Sequence, residues 1–175
     1  MARSGASGAA VFVVTGDPLD DTIGALFALW DGAPELAYEV DGEAAQAVVV
    51  DGPLLDDQEA RRFLQVGTGG MYVPVGGQSA GRLGYGGRTE VTVDVTSALT
   101  VWSGGTDAPA VRREAYEVLR AMDGLLARDR SLGDVVAQAQ MTRHQYLPLQ
   151  DAGGQGCAVR LELTVRAVAT RFEEG

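Results

Sequence analysis

A single cysteine, Cys157, excludes an intrachain disulfide and any zinc site built on cysteines, and it suits a reducing compartment. The single histidine, His144, has no second His or Cys with which to share a metal ion, so a surface or hydrogen-bonded histidine is expected and no metal site. Cations are also scarce. Fourteen basic against 24 acidic residues leave a formal charge of -10, which opposes non-specific binding to nucleic acid phosphates and to anionic lipid. The opening stretch MARSGASGAAVFVVTGDP has one early Arg and an apolar run too short for a signal-peptide core or a membrane span. A soluble protein made in a cytoplasm, with no membrane partner, is the expectation. No internal repeat or heptad run is visible.

What is present fits one domain. At 175 residues and 46% hydrophobic content, the chain should bury about 70% of its unfolded surface around one core. The clearest instructions lie between Val91 and Ala127. Val91, Val93, Val95, Ser97, Leu99 and Val101 alternate with Thr92, Asp94, Thr96, Ala98, Thr100 and Trp102, the pattern of a half-buried strand. Ser103, Gly104 and Gly105 end it. Thr106 or Asp107 then caps a helix with Pro109 in its first turn, and Val111, Ala115, Val118, Leu119, Met122, Leu125 and Leu126 form one apolar stripe. Arg112, Arg113, Glu114, Glu117, Arg120 and Asp123 mostly take the solvent side. Burying the large members of the stripe contributes at most about 10 kcal/mol, enough to dock the helix on the odd face of the strand.

Around this unit the remaining chain falls into shorter signals. Residues 1–16 read as a flexible tail with a short apolar segment at Ala10–Val14, and 173–175 as a second tail. Asp20, Asp21 or Thr22 caps a first helix with Ile23, Leu26, Phe27 and Trp30 on one face, stopped by Gly32 and Pro34. Asp17, Asp20 and Asp21 lack the spacing and glycine of a calcium loop and are read as acidic residues at a helix amino terminus. Strands are expected at Gln46–Val50, before the turn Asp51-Gly52-Pro53, and at Arg62–Gly67. Residues 67–87 are rich in glycine, with Met71, Tyr72, Val73, Val75, Leu83 and Tyr85 set among them, and read as a mobile loop or hairpin able to order against a neighbour. Ser131–Asp134 forms a turn, a strand runs from Val135 to about Tyr146, and the turn at Gln150–Gly156 leads into a last strand, Val159–Thr170, its antiparallel partner. The fold class is α/β (α+β), a mixed, mainly antiparallel sheet with helices on one face.

Motifs for chemistry fail on context. Gly77-Gln78-Ser79-Ala80-Gly81 matches G-x-S-x-G and His144 follows it, the chain order of an α/β-hydrolase triad. A nucleophile elbow needs a buried strand turning into a helix, whereas Pro74 precedes this match and RLGYGG follows it, so a serine hydrolase using Ser79 is a remote alternative. Gly76–Leu83 approximates a phosphate loop, but Arg82 stands where Lys is needed and Leu83 where a hydroxyl is needed. Cys157 reads as a small buried filler, Trp30 and Trp102 as core or subunit-contact residues, and Arg160, Glu162, Thr164 and Arg166 as a solvated sheet face that also suits subunit pairing. No catalytic residue, cofactor or metal is expected.

The order of short matches nevertheless carries a resemblance. A first helix, then VVVDGP (Val48–Pro53), FLQVG (Phe63–Gly67), a strand ending LTVWSG (Leu99–Gly104), the helix DAPAVRREAYEVLRAMDGLLARDRSLGD and a final hairpin ending VRLELTVRAVATRF follow one another. This layout resembles the tail terminator proteins of long-tailed phages (siphoviruses) infecting actinobacteria, and it covers most of residues 17–172. The resemblance implies a small non-catalytic α/β protein of the virion, assembled in the host cytoplasm as a homohexameric ring. Such a ring caps the head-proximal end of the tail tube, stops tube polymerisation and receives the neck or head-tail connector. The partners it implies are other copies of the chain, the tube protein, the neck protein and, as a further candidate, the tape measure protein. Met71, Tyr72, Val73, Arg82, Tyr85 and Arg88 are the expected subunit or tube contacts. DNA would pass through the lumen without specific binding, helped by an acidic lining that repels phosphate. Another neck or head-tail joining protein of the virion is the alternative.

Overall fold

The computed structural model describes residues 17–52, 61–73, 88–150 and 156–172. The first helix, α1 (Pro18–Trp30), starts earlier than its acidic residues suggested: Asp17 is the N-cap, its carboxylate accepting from the Leu19 N–H at 2.8 Å. Pro18 takes the first helical position, where its fixed φ fits and no N–H is missed. Asp20 and Asp21 occupy the first turn instead, beside the positive end of the helix dipole. Thr22 turns inward, fully buried, and donates to the Pro18 carbonyl at 2.6 Å. Gly32, at φ 67°, ends the segment in the left-handed region, and a 3₁₀ turn follows at Pro34–Leu36.

A small hairpin comes next, β1 (Tyr38–Val40) and β2 (Glu43–Ala45), which the sequence reading missed. Its signal was the dipeptide Asp41-Gly42. Both residues have positive φ, 53° and 85°, as a two-residue turn between antiparallel strands requires. Strand β3 (Val48–Asp51) lies two residues later at its start and one at its end than expected.

Strand β4 (Arg62–Tyr72) is the main correction. The sequence reading ended this strand at Gly67 and assigned residues 67–87 to a loop or hairpin, yet Gly69, Gly70, Met71 and Tyr72 pair antiparallel with Thr96, Val95, Asp94 and Val93. The register steps from Gln65↔Ala98 to Gly69↔Thr96, a bulge that Gly67 absorbs at φ 70°. Its glycines are not there for looseness. A Cβ on Gly67 would lie 2.8 Å from Ile23 Cγ2, and one on Gly70 would lie 2.6 Å from Leu19 Cδ1, so α1 rests directly on the bare backbone of β4.

Strand β5 (Arg88–Ser103) is the hub, pairing antiparallel with β4 on one side and β7 (Cys157–Phe172) on the other. The large sheet has the order β3-β4-β5-β7-β6, with β6 at Gln138–Gln150, and only β3 and β4 run parallel. Helix α2 (Ala108–Arg128) is capped by Asp107, which accepts from the Ala110 N–H at 3.1 Å. Both helices lie on one face: α1 over β3, β4 and β5, α2 over β5, β7 and β6. The expected stripe of α2 is buried except for Leu125, which is half-buried, and it joins one core with Val93, Val95, Leu99 and Val101 of β5 and Leu161, Leu163 and Val165 of β7. The expected antiparallel pair of final strands is present, although β6 begins three residues later than Val135. Leu132 and Asp134, at φ 52° and 71°, hold the chain in a turn there, and Leu132 and Val136 are buried as its anchors.

Candidate interaction surfaces

The residues expected to form a contact patch divide. Met71 and Tyr72 are neighbours in a strand and so point to opposite faces: Met71, 61% exposed, sits across from Asp94 on the face away from the helices. Tyr72, 47% exposed, sits across from Val93 on the helix side, where its hydroxyl donates to the Asp17 carboxylate at the start of α1. Val73 is half-buried, its N–H donating to the Thr92 carbonyl at 2.8 Å. Arg88 opens β5 opposite Phe172. Arg82, Tyr85, Ser79 and the two glycine-spaced motifs around them lie outside the described residues, as do Ala10–Val14 and both tails.

The helix-free face carries a polar lattice across β4, β5 and β7. Arg166 grips Asp94 with two bonds of 2.8 Å, and these bonds, with the carboxylate charge, hold the guanidinium pKa above its ordinary value. Arg160 reaches Gln65 at 3.4 Å and Glu162 at 3.7 Å. Trp102, 45% exposed, stands at the far end of β5 opposite Ala158, with its indole over Gly156. Trp30 is its opposite: fully buried at the end of α1, with no hydrogen-bond partner for its Nε1. Cys157 is half-buried rather than buried, because its Sγ reaches out along the strand end to the Gly105 carbonyl at 3.2 Å.

The helix face is tied by ion pairs that the sequence did not signal. Glu114 was placed on the solvent side of α2, yet its side chain is 14% exposed and accepts from Arg61 at 2.8 Å and Arg62 at 2.9 Å. Burial works against this carboxylate, but the hydrogen bonds from Arg61 and then Arg62, with their charges, outweigh it and lower its pKa. Arg62 also stacks over the Tyr38 ring at 4.6 Å and donates to the Ala37 carbonyl, so one side chain joins the β1–β2 hairpin, β4 and α2. Arg128 pairs with Glu35 at 2.7 Å, at the other end of α2.

On the sheet edge, His144 is exposed and meets the Tyr116 ring of α2 edge-on, at 5.9 Å and 82°. Among the described residues no three His, Cys, Asp or Glu side chains are placed to hold a metal ion, and no helix is long and apolar enough to cross a membrane. The geometry is that of paired charges on both faces of a sheet whose outer strands, among the described residues, are β3 and β6. No family model matches the chain, and no curated protein matches it.

Proposed function

We propose that this chain is a tail terminator, a ring-forming virion protein that caps the head-proximal end of a phage tail tube and presents the docking surface for the neck. The observation that carries the reading is the order of matched segments along the chain. VVVDGP opens as β3 and continues into a left-handed glycine turn, FLQVG runs along β4 to its bulge, and LTVWSG closes β5; α2 and the β6–β7 hairpin follow in the matched order. A ring subunit needs surfaces for two neighbours, a tube and a neck, and among the described residues this fold offers two sheet edges and one face without helices. The negative charge keeps such a ring from gripping the DNA that passes it.

The test is removal of the gene from the phage that encodes it. Particles are then expected to carry tails of uncontrolled length that fail to join capsids, and the purified protein added to tail tubes should appear in electron micrographs as a cap at one end. Tails of normal length joined to heads in the absence of the protein would overturn the proposal.

A further inference from the structure

Charge on the exposed surface is sorted between residues 17–51 and the β6 side of the sheet. From Asp17 to Gly52 every charged side chain is a carboxylate, and Asp20, Asp31, Glu39, Asp41, Glu43 and Asp51 are all exposed and, among the described residues, in no ion pair. These residues lie on α1 or just after it, on the hairpin that leads into β3, and on β3 itself. The β6 edge has the reverse character. Between Val135 and Gln150 there is no carboxylate, and Arg143 and His144 are exposed on β6.

Tyr116 touches His144, which places the flank of α2 that carries Tyr116 beside this edge. Arg112, Arg113 and Arg120 stand four and three residues before and four after Tyr116, on neighbouring positions of the helix surface. All three are exposed, and like Arg143 they are in no ion pair among the described residues, whereas Arg61, Arg62, Arg128, Arg160 and Arg166 each have a carboxylate partner. Between Val111 and Asp123 the helix carries Arg112, Arg113, Glu117 and Arg120 beside this flank, with Asp123 one turn beyond Arg120, so arginines outnumber exposed carboxylates there three to two.

Within the chain the acidic segment and α2 meet in one ion pair, Arg128 with Glu35, and the carboxylates and arginines named above are left unpaired among the described residues. Strands β3 and β6 stand about 19 Å apart at ordinary strand spacing, so Arg143 cannot reach the β3 strand of its own copy. A second copy can supply the missing partners. We infer that the β6 side of one copy docks head-to-tail on the acidic α1–β3 side of a second copy, through arginine–carboxylate pairs. Because the two surfaces differ, the contact is heterologous and each copy keeps one of each for the next neighbour. This deepens the ring reading of the previous section and rests on it for closure of the ring, while naming the surfaces that meet. Direct strand-to-strand pairing is not the main contact. Pro148 within β6 and the bulge between Met141 and Arg143 interrupt the donor row along that edge, leaving the side-chain charges to select the partner.

A charge swap tests the inference. One full-length variant carries Arg113→Glu, Arg120→Glu and Arg143→Glu; the other carries Asp31→Arg, Glu39→Arg and Glu43→Arg. Circular dichroism establishes that both are folded, and analytical ultracentrifugation at low salt reads assembly. The native chain is expected to assemble, less so as salt rises. Each variant alone should need at least about tenfold more protein to assemble, because like charges then face each other, and an equimolar mixture should recover the native behaviour as alternating copies restore opposite signs. Variants that assemble as the native chain does, a mixture that does not recover, or a native chain that stays monomeric would each overturn the inference. The tail-capping experiment separates the two claims: tails capped by both variants as well as by the native chain would leave the function standing and remove this interface.

Discussion

Gly67 and Gly70 lie three residues apart under the same helix, yet they should respond differently to a methyl group. At Gly67 the added Cβ meets Ile23 at 2.8 Å and the backbone is at φ 70°, so Gly67→Ala combines left-handed strain with a displaced helix and should cost about 2–3 kcal/mol. At Gly70 the obstruction is the tip of the partly exposed Leu19 side chain, and no positive φ is involved. Leu19 can swing aside, so Gly70→Ala should cost less than about 1 kcal/mol. Urea unfolding of the two variants ranks them, and equal losses would contradict the helix-on-backbone contact. Residue-level features of this kind are only half legible in sequence. Asp107 was named among the candidate caps because it stands directly before Ala108 and Pro109, but the same logic at Asp17-Pro18 was passed over for the denser acidic pair at Asp20 and Asp21. Glycine spacing says that a side chain is unwelcome; it does not say whether a turn or a neighbouring helix refuses it.

Among the elements, β5 and α2 were readable because each repeats one period over many residues, and their buried faces are the ones the alternation and the stripe predicted. β4 was not, since glycine removes the alternation that marks a strand and its second half is set by pairing with β5. Glu114 was equally hidden: a charged residue on an amphipathic helix reads as solvated until Arg61 and Arg62 arrive from another element. Glu114→Gln should therefore destabilise the fold by about 1–3 kcal/mol at neutral pH, because it removes the charge and turns one of the two acceptor oxygens into an NH2 donor that faces a guanidinium group. Its pH dependence has a fixed direction. Folded Glu114 keeps its charge to lower pH than the ordinary glutamate value of 4.5, so the unfolded chain takes up the proton first and the stabilising contribution is complete above that value. It fades as pH falls through the lower folded value. Urea midpoints of the native chain and of Glu114→Gln should accordingly differ at pH 7 and draw together as the pH is lowered below 4.5; a gap that stays constant in acid would mean that the clamp acts through shape and not charge.

For the molecule as a whole, hydrophobic patterning was enough to specify a two-layer body with helices on one face, whereas the surface expected to act was spread over residues that the fold sends in different directions. Met71 and Tyr72 point to opposite faces, and the charge sorting between residues 17–51 and the β6 side becomes visible only once the strand order is known, because residues 17–52 and 135–150 say nothing about each other in sequence. A deletion that spans residues 68–87 would remove strand residues paired with Val93–Thr96, so it would confuse loss of fold with loss of contact. Replacing residues 74–87 with a short Gly/Ser linker leaves every described β4–β5 pair in place, and thermal unfolding of that variant is expected to stay within a few degrees of the native chain, about 1 kcal/mol or less. The tail capping proposed above should be lost in this variant if the apolar residues Val75, Leu83 and Tyr85 meet the tube, while the proposed self-assembly should persist, since the charged residues inferred to carry it are untouched. Ultracentrifugation and electron microscopy of the same preparation read both outcomes. Loss of assembly together with capping would place the subunit contact on the replaced segment and not on those charged residues.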